Sequence, residues 1–181
     1  MTITQNNKSQ GLTLAELLIT VAIVGILSVI ALDSGIKMRR RDQINSLAVA
    51  LSGWIEEVRR SSQRGVGCTL SIGGANLRAG SQFASSLKVS SATTITDSNV
   101  CMVLDPLVIP GSFAGNSGVF SITSVSFSFT PRGTVAYSSG NSANIVITQQ
   151  GNPDSRCISI TGLLGLMEIS KGNTCGAQER F

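Results

Sequence analysis

The chain has 181 residues, 42% of them apolar and only 13% charged, with a formal net charge of +4, a pI near 9.2 and a mean hydropathy of +0.27. Ordinary soluble domains carry about a quarter charged residues, so this composition excludes a disordered chain, which needs low hydropathy and high net charge. There is no histidine, which removes Ser-His-Asp and Cys-His catalytic arrangements and histidine metal sites. Aromatic residues are too few, at 4%, for a row of base-stacking platforms, and the basic balance is too mild to imply nucleic acid by itself. The length suits one domain plus whatever leads into it.

The hydropathy is concentrated at one end. From Leu12 to Leu32, a run of 21 residues, the only ionisable side chain is Glu16. As a helix rising roughly 1.5 Å per residue it would extend about 31 Å, and a bilayer core is about 30 Å thick. This segment is therefore expected to cross a membrane once, with everything after it hung from that anchor. Three readings of the anchor compete. A cleaved secretory signal could use Val29-Ile30-Ala31 as its cleavage site, but the run is long for such a signal and Glu16 lies inside it. A plain signal anchor leaves Glu16 as a cost, about 2.5–3.5 kcal/mol at the centre of a spanning helix and less near an end.

The third reading gives Glu16 a role. The stretch Gly11-Leu12-Thr13-Leu14-Ala15-Glu16-Leu17-Leu18, after a short polar leader carrying Lys8, resembles the type IV prepilin (class III) signal, with Leu12 where that family more usually has phenylalanine. The resemblance implies a prepilin peptidase that cuts between Gly11 and Leu12 and methylates the new amine of Leu12. Glu16 then becomes the fifth residue of the mature chain. A carboxylate one turn into the membrane can be neutralised by the N-terminal amine of a neighbouring subunit, which favours assembly over the lone monomer and sets the register of a helical filament.

Orientation brings two signals into conflict. Lys37, Arg39, Arg40 and Arg41 follow the run while the leader has only Lys8 and the α-amine, so a positive-inside count keeps the large domain in the cytoplasm. The four cysteines, Cys68, Cys101, Cys157 and Cys175, all lie beyond the anchor, an even number without CxxC spacing. That suits disulfides in an oxidising compartment, with buried free thiols as the other reading, and export is adopted here.

Beyond Leu32 the helix is expected to continue, with Asp33-Ser34-Gly35 as a place for a bend. Ile44, Leu47, Leu51, Ile55 and Val58 recur at spacings of three and four, with Trp54 beside them. Arg59, Arg60 and Arg64 suit a helix C-terminus and Gly65 a stop. Glu56 and Glu57 are expected to pair with Arg60. From Val66 onward short β-branched runs alternate with turns. Strands are predicted at 68–72, 93–96, 100–104 and 119–123, through Val125, Phe127 and Phe129, and at 135–137, 145–148, 157–160 and 166–169. Thr130-Pro131-Arg132-Gly133 is a turn, Gly151–Asp154 joins two strands, and 111–118 reads as an exposed loop.

The prediction is an α+β fold: a long N-terminal helix, membrane-spanning in its first half and amphipathic in its second, packed on an antiparallel β-sheet domain. Its parts are a leader at 1–11, a transmembrane half-helix at 12–32, an amphipathic half at 33–65 and a β-rich globular domain at 66–181. In its order of elements, ending with Phe127-Ser128-Phe129-Thr130-Pro131-Arg132-Gly133, the chain is similar to minor pseudopilins of the GspH/FimT type. That resemblance implies two β-sheets against the helix and a role in initiating or capping a type IV pilus or the pseudopilus of type II secretion. Some pilus members bind DNA through arginines in a Gly-Arg-x-Arg pattern near the C-terminus. The corresponding place here is Gly162-Leu163-Leu164-Gly165, without the arginines, which argues against DNA binding by that route. Four cysteines allow three connectivities; likeness to other pilin-like domains favours Cys157–Cys175, leaving Cys68–Cys101.

Other chemistry is thin. No Walker-type loop, dinucleotide fingerprint or metal-spaced cluster is present, Asp97, Asp105 and Asp154 read as solvated or capping acids, and no cofactor, metal or catalytic activity is expected. The sequence thus points to a structural subunit of the bacterial inner membrane, single-pass, its globular domain in the periplasm. Its expected partners are prepilin peptidase and other major and minor pilins or pseudopilins. A filament-tip module binding DNA or a surface is the alternative. Leu163 and Leu164 suggest contacts with other minor subunits.

Overall fold

The computed structural model describes residues 13–64, 67–88, 101, 105–113 and 118–175, without the side chains of residues 29–34 and Lys88. The predicted strands at 93–96 and 100–104 lie outside these residues, Cys101 excepted. The chain divides into two compact units, residues 1–39 and residues 40–181. One helix, α1 (Leu14–Ser62), contributes to both and is helical through Asp33-Ser34-Gly35.

In the first unit the helix is apolar all round. Leu14, Leu17, Leu18, Ile19, Val21, Ile23, Val24, Ile26 and Leu27 are all exposed, as are Ile36 and Met38. Among the described residues no helix is long and apolar enough to cross a membrane.

In the second unit the remainder of α1 lies on a sheet. The predicted stripe is buried in full: Ile44, Leu47, Leu51, Ile55 and Val58 are each at most 1% exposed, and Trp54 is buried beside them. The spacing explains this, since residues three and four apart share one face of a helix. The opposite face, with Ser46, Val49, Ala50, Gly53 and Glu57, stays in solvent. Polar contacts fasten the helix at intervals. Arg40 Nη1 donates to Gly151 O (2.6 Å), Gln149 Nε2 to Gln43 Oε1 (2.9 Å), Trp54 Nε1 to Asp105 O (3.3 Å) and Arg59 Nε to Gly133 O (3.2 Å), while Ser62 Oγ is 3.2 Å from Thr130 O. Glu56 pairs with Arg59 at 3.7 Å, not with the Arg60 expected from sequence, because Arg59 lies toward the sheet and Arg60 is turned to solvent.

The strands are β1 (Cys68–Leu77), β2 (Gln82–Lys88), β3 (Leu107–Val108), β4 (Phe120–Phe129), β5 (Val135–Tyr137), β6 (Ser142–Gln149), β7 (Ser155–Thr161) and β8 (Leu166–Lys171). They form one eight-stranded antiparallel sheet in the order β3-β2-β1-β4-β6-β7-β8, with β5 also on β4. The two-sheet arrangement implied by resemblance is not what is found. The reason is β4, which pairs with β6 through Phe120–Ile122 and with β5 through Phe127–Phe129, while β1 runs along its other edge. β2 and β3 were not predicted, and the predicted strands at 119–123 and 125–129 are one strand.

That one strand changes phase midway. Ile122 and Phe120 are buried, Thr123 and Ser124 are both exposed, and Phe127 and Phe129 are buried again. The shift is a bulge in β4, where Thr123 and Ser124 stand opposite the single residue Gly73 of β1, between the pairs Ile72–Val125 and Gly74–Ile122. Gly73 has φ +135°, and a Cβ there would collide with the backbone of Ser124. The bulge lets four core residues of β4 face the helix together with Leu70, Ile72, Ile145, Ile147, Ile158 and Ile160. The predicted loop at 111–118 opens with a 3-10 turn, Gly111–Phe113, whose Phe113 ring lies 5.9 Å from that of Phe120. Cys68 is bonded to Cys101, and Cys157 to Cys175.

Leu51 sits at the middle of the stripe with no exposure. Replacing it with alanine should lower stability by about 2–5 kcal/mol, read by denaturant unfolding of the full chain in detergent with Trp54, the only tryptophan, as fluorophore. Val49→Ala, on the exposed face of the same helix, should shift it by less than about 0.5 kcal/mol.

Candidate functional site

The N-terminal end of α1 is built by Thr13 and Glu16. The Thr13 backbone amide donates to Glu16 Oε2 at 2.9 Å, the Thr13 hydroxyl is hydrogen-bonded to the same oxygen at 2.9 Å, and the Glu16 amide donates to Thr13 Oγ1 at 3.3 Å. This is a capping box, in which an N-cap Thr and a Glu three residues on satisfy each other's free backbone donors. It also puts a negative charge in the first helical turn, where the helix dipole favours it. The Thr-x-x-Glu spacing was legible in the sequence, yet the reading there gave Glu16 only an intermolecular partner. The structure adds an intramolecular one, Thr13. Gly11, Leu12 and Lys8 lie outside the described residues.

A second feature stands at the β7–β8 turn. Gly162 and Gly165 have φ of +69° and +61°, and a Cβ on Gly165 would lie 2.5 Å from Val135 Cγ2. Glycine at both ends lets the turn close tightly. Gly165 N donates to Gly162 O (3.0 Å), Val135 N to Leu163 O (2.9 Å), Gly162 N to Asn141 O (3.2 Å) and Tyr137 Oη to Gly162 O (2.9 Å). The result is a fixed turn on which Leu163 and Leu164 are 74% and 71% exposed. At the place compared with a Gly-Arg-x-Arg DNA site, the turn therefore offers apolar surface and no cation.

Arg156 is the third feature, and no sequence pattern marks it. It lies on β7 in register with Ile147 of β6 and Lys171 of β8, on the face that carries the core, and is 2% exposed. Its Nη1 donates to Ser155 O at 2.8 Å. Burial, reinforced by the nearby Arg41 charge, lowers its pKa from the usual arginine value, while Asp154 acts in the opposite sense; a guanidinium stays charged regardless. A long charged side chain passes unnoticed in a strand read only for apolar alternation.

Comparison with known proteins yields one match. A family model for the prokaryotic N-terminal methylation motif matches residues 6–32, which include Gly11, Leu12, Thr13 and Glu16. No curated protein and no solved structure matches the chain. The matched motif supports a type IV pilin-like protein.

Tyr137, the only tyrosine, has its pKa raised by burial. Its folded value thus exceeds its unfolded one, so the neutral phenol's contribution to stability is intact below about pH 10 and is lost as pH rises through the folded value. A tyrosinate absorbance titration of the folded chain should run above that of the same chain in denaturant. Coincident curves would show that the Tyr137 phenol is not desolvated in the folded chain.

Proposed function

We propose that the chain is a minor pilin or pseudopilin: a structural subunit that assembles into, or tips, a type IV pilus or type II secretion pseudopilus. The observation that carries this reading is the methylation motif at 6–32, coinciding with a helix that leaves its apolar side chains exposed on every side. Such a surface needs either hydrocarbon or other apolar helices around it, and a filament subunit meets both in turn.

Prepilin peptidase cuts between Gly11 and Leu12, and the amine of Leu12 is methylated. Leu12–Leu32 is then the span in the bacterial inner membrane, and the β domain is periplasmic, where an oxidising milieu suits the Cys68–Cys101 and Cys157–Cys175 bonds. Thr13 becomes the second mature residue and Glu16 the fifth. Before assembly the capping box supplies the carboxylate with donors from its own chain, which limits the cost of holding it in the membrane. The ammonium of a neighbouring subunit supplies the opposite charge that Thr13 cannot. Glu16 therefore selects the axial position at which a neighbour's terminus can meet it, and the other pilins or pseudopilins are the partners.

Intact mass and terminal sequencing of the protein from its native envelope should give a chain beginning at N-methylated Leu12. A chain beginning at Leu32, or an uncut leader, would remove the main support for the reading. Glu16→Ala should be processed normally but recovered in sheared filaments at least about tenfold less, the loss of one ion pair in a low-dielectric setting being worth more than about 1.4 kcal/mol. Normal recovery would argue against the assembly role.

A further inference from the structure

The two borders of the sheet are unlike. One ends in β3, a strand of two residues, which is a common way to blunt an edge. The other ends in β8, six residues in continuous register with β7, without bulge or proline. Among the described residues no strand pairs with its outer border.

The phase of that border follows from one bond. Gly172 N donates to Ser155 O at 3.1 Å, and Lys171 is opposite Arg156. Antiparallel ladders alternate hydrogen-bonded and non-bonded pairs. Leu166, Glu168 and Ser170 therefore direct their amides and carbonyls to β7, and Met167, Ile169 and Lys171 direct theirs outward.

The same outward residues are where the core is left open. Met167 and Ile169 are in register with Ile160 and Ile158, both wholly buried, yet are themselves only half-buried. At the head of the strand Leu166 is 72% exposed, next to Leu163 and Leu164 on their fixed turn. A row of unpaired backbone groups beside half-covered core side chains has a definite complement. It fits an extended segment that extends the ladder and lays alternate apolar residues against Met167 and Ile169.

We infer that β8 is a strand-accepting edge, taking an extended, apolar-alternating segment of a neighbouring subunit. That the donor is another subunit rests on the filament reading above; the open edge does not. Lys171, the only charged residue among the outward three, sets one end of the contact, and the leucines of the 162–165 turn set the other.

The test is amide hydrogen exchange, resolved by residue, on the full chain in detergent and in sheared filaments. The amides of Met167, Ile169 and Lys171 should slow by more than about tenfold on assembly, while those of Leu166, Glu168 and Ser170, already bonded to β7, should change by less than about threefold. Met167 and Ile169 amides equally fast in both states would overturn the strand contact while leaving the filament reading standing. Absence of the processed chain from filaments would overturn both. Lys171→Pro gives a second test, since it removes an outward amide that β7 does not use. It should leave the melting temperature of the detergent-solubilised chain unchanged and lower recovery in filaments at least fivefold; unchanged recovery would overturn the contact.

Discussion

Everything in the second unit depends on one act of burial, the packing of Ile44, Leu47, Leu51, Ile55 and Val58 against the apolar face of the sheet. Burying each such side chain contributes about 1.5–3 kcal/mol, and neither the half-helix nor the sheet could keep that face in water alone. The polar fastenings at Gly151, Gln149, Asp105, Gly133 and Thr130 contribute less individually. They determine which turn of the helix meets which strand end, so they specify register where the stripe supplies cohesion.

The same physics separates what the sequence made legible from what it did not. The stripe was readable because burial on one side of a helix writes a 3.6-residue period into the chain. β5 to β8 were readable because each carries β-branched or aromatic residues bounded by turn signals. β2, Gln82–Lys88, was not. Its Phe83 and Ala84 are adjacent and both buried, and serines fill much of the rest, so no period of two survives. β3 is too short to write any pattern. The single sheet was also hidden, because the partner exchange along β4 is a relation among distant segments with no local signature.

At the helix start, the sequence pointed to Glu16 but not to its own-chain partner. A carboxylate within an apolar run raised the question of what neutralises it, and the resemblance to a prepilin signal led to another molecule as the expected partner. The hydrogen bonds to Thr13 give a local part of the answer. Arg156 shows the converse. There a charge is carried into the core face of a strand, its stem packing as an apolar side chain would while its head reaches the Ser155 carbonyl. Reading chains by class of residue overlooks both, because what decides them is where each polar atom finds a partner.

The bulge in β4, opposite Gly73 of β1, bears on how the fold could drift over time. Its apolar core can exchange isoleucine, leucine and valine with modest loss, since volume and patterning matter more than identity. Gly73 has no such freedom, because its φ of +135° and the backbone of Ser124 leave no space for a side chain. Divergent descendants of this chain could therefore lose nearly all recognisable similarity in their strands and still retain a glycine opposite a polar pair at the centre of the sheet. That glycine would be a better guide to common ancestry of the β domain than any of the residues that make up its core.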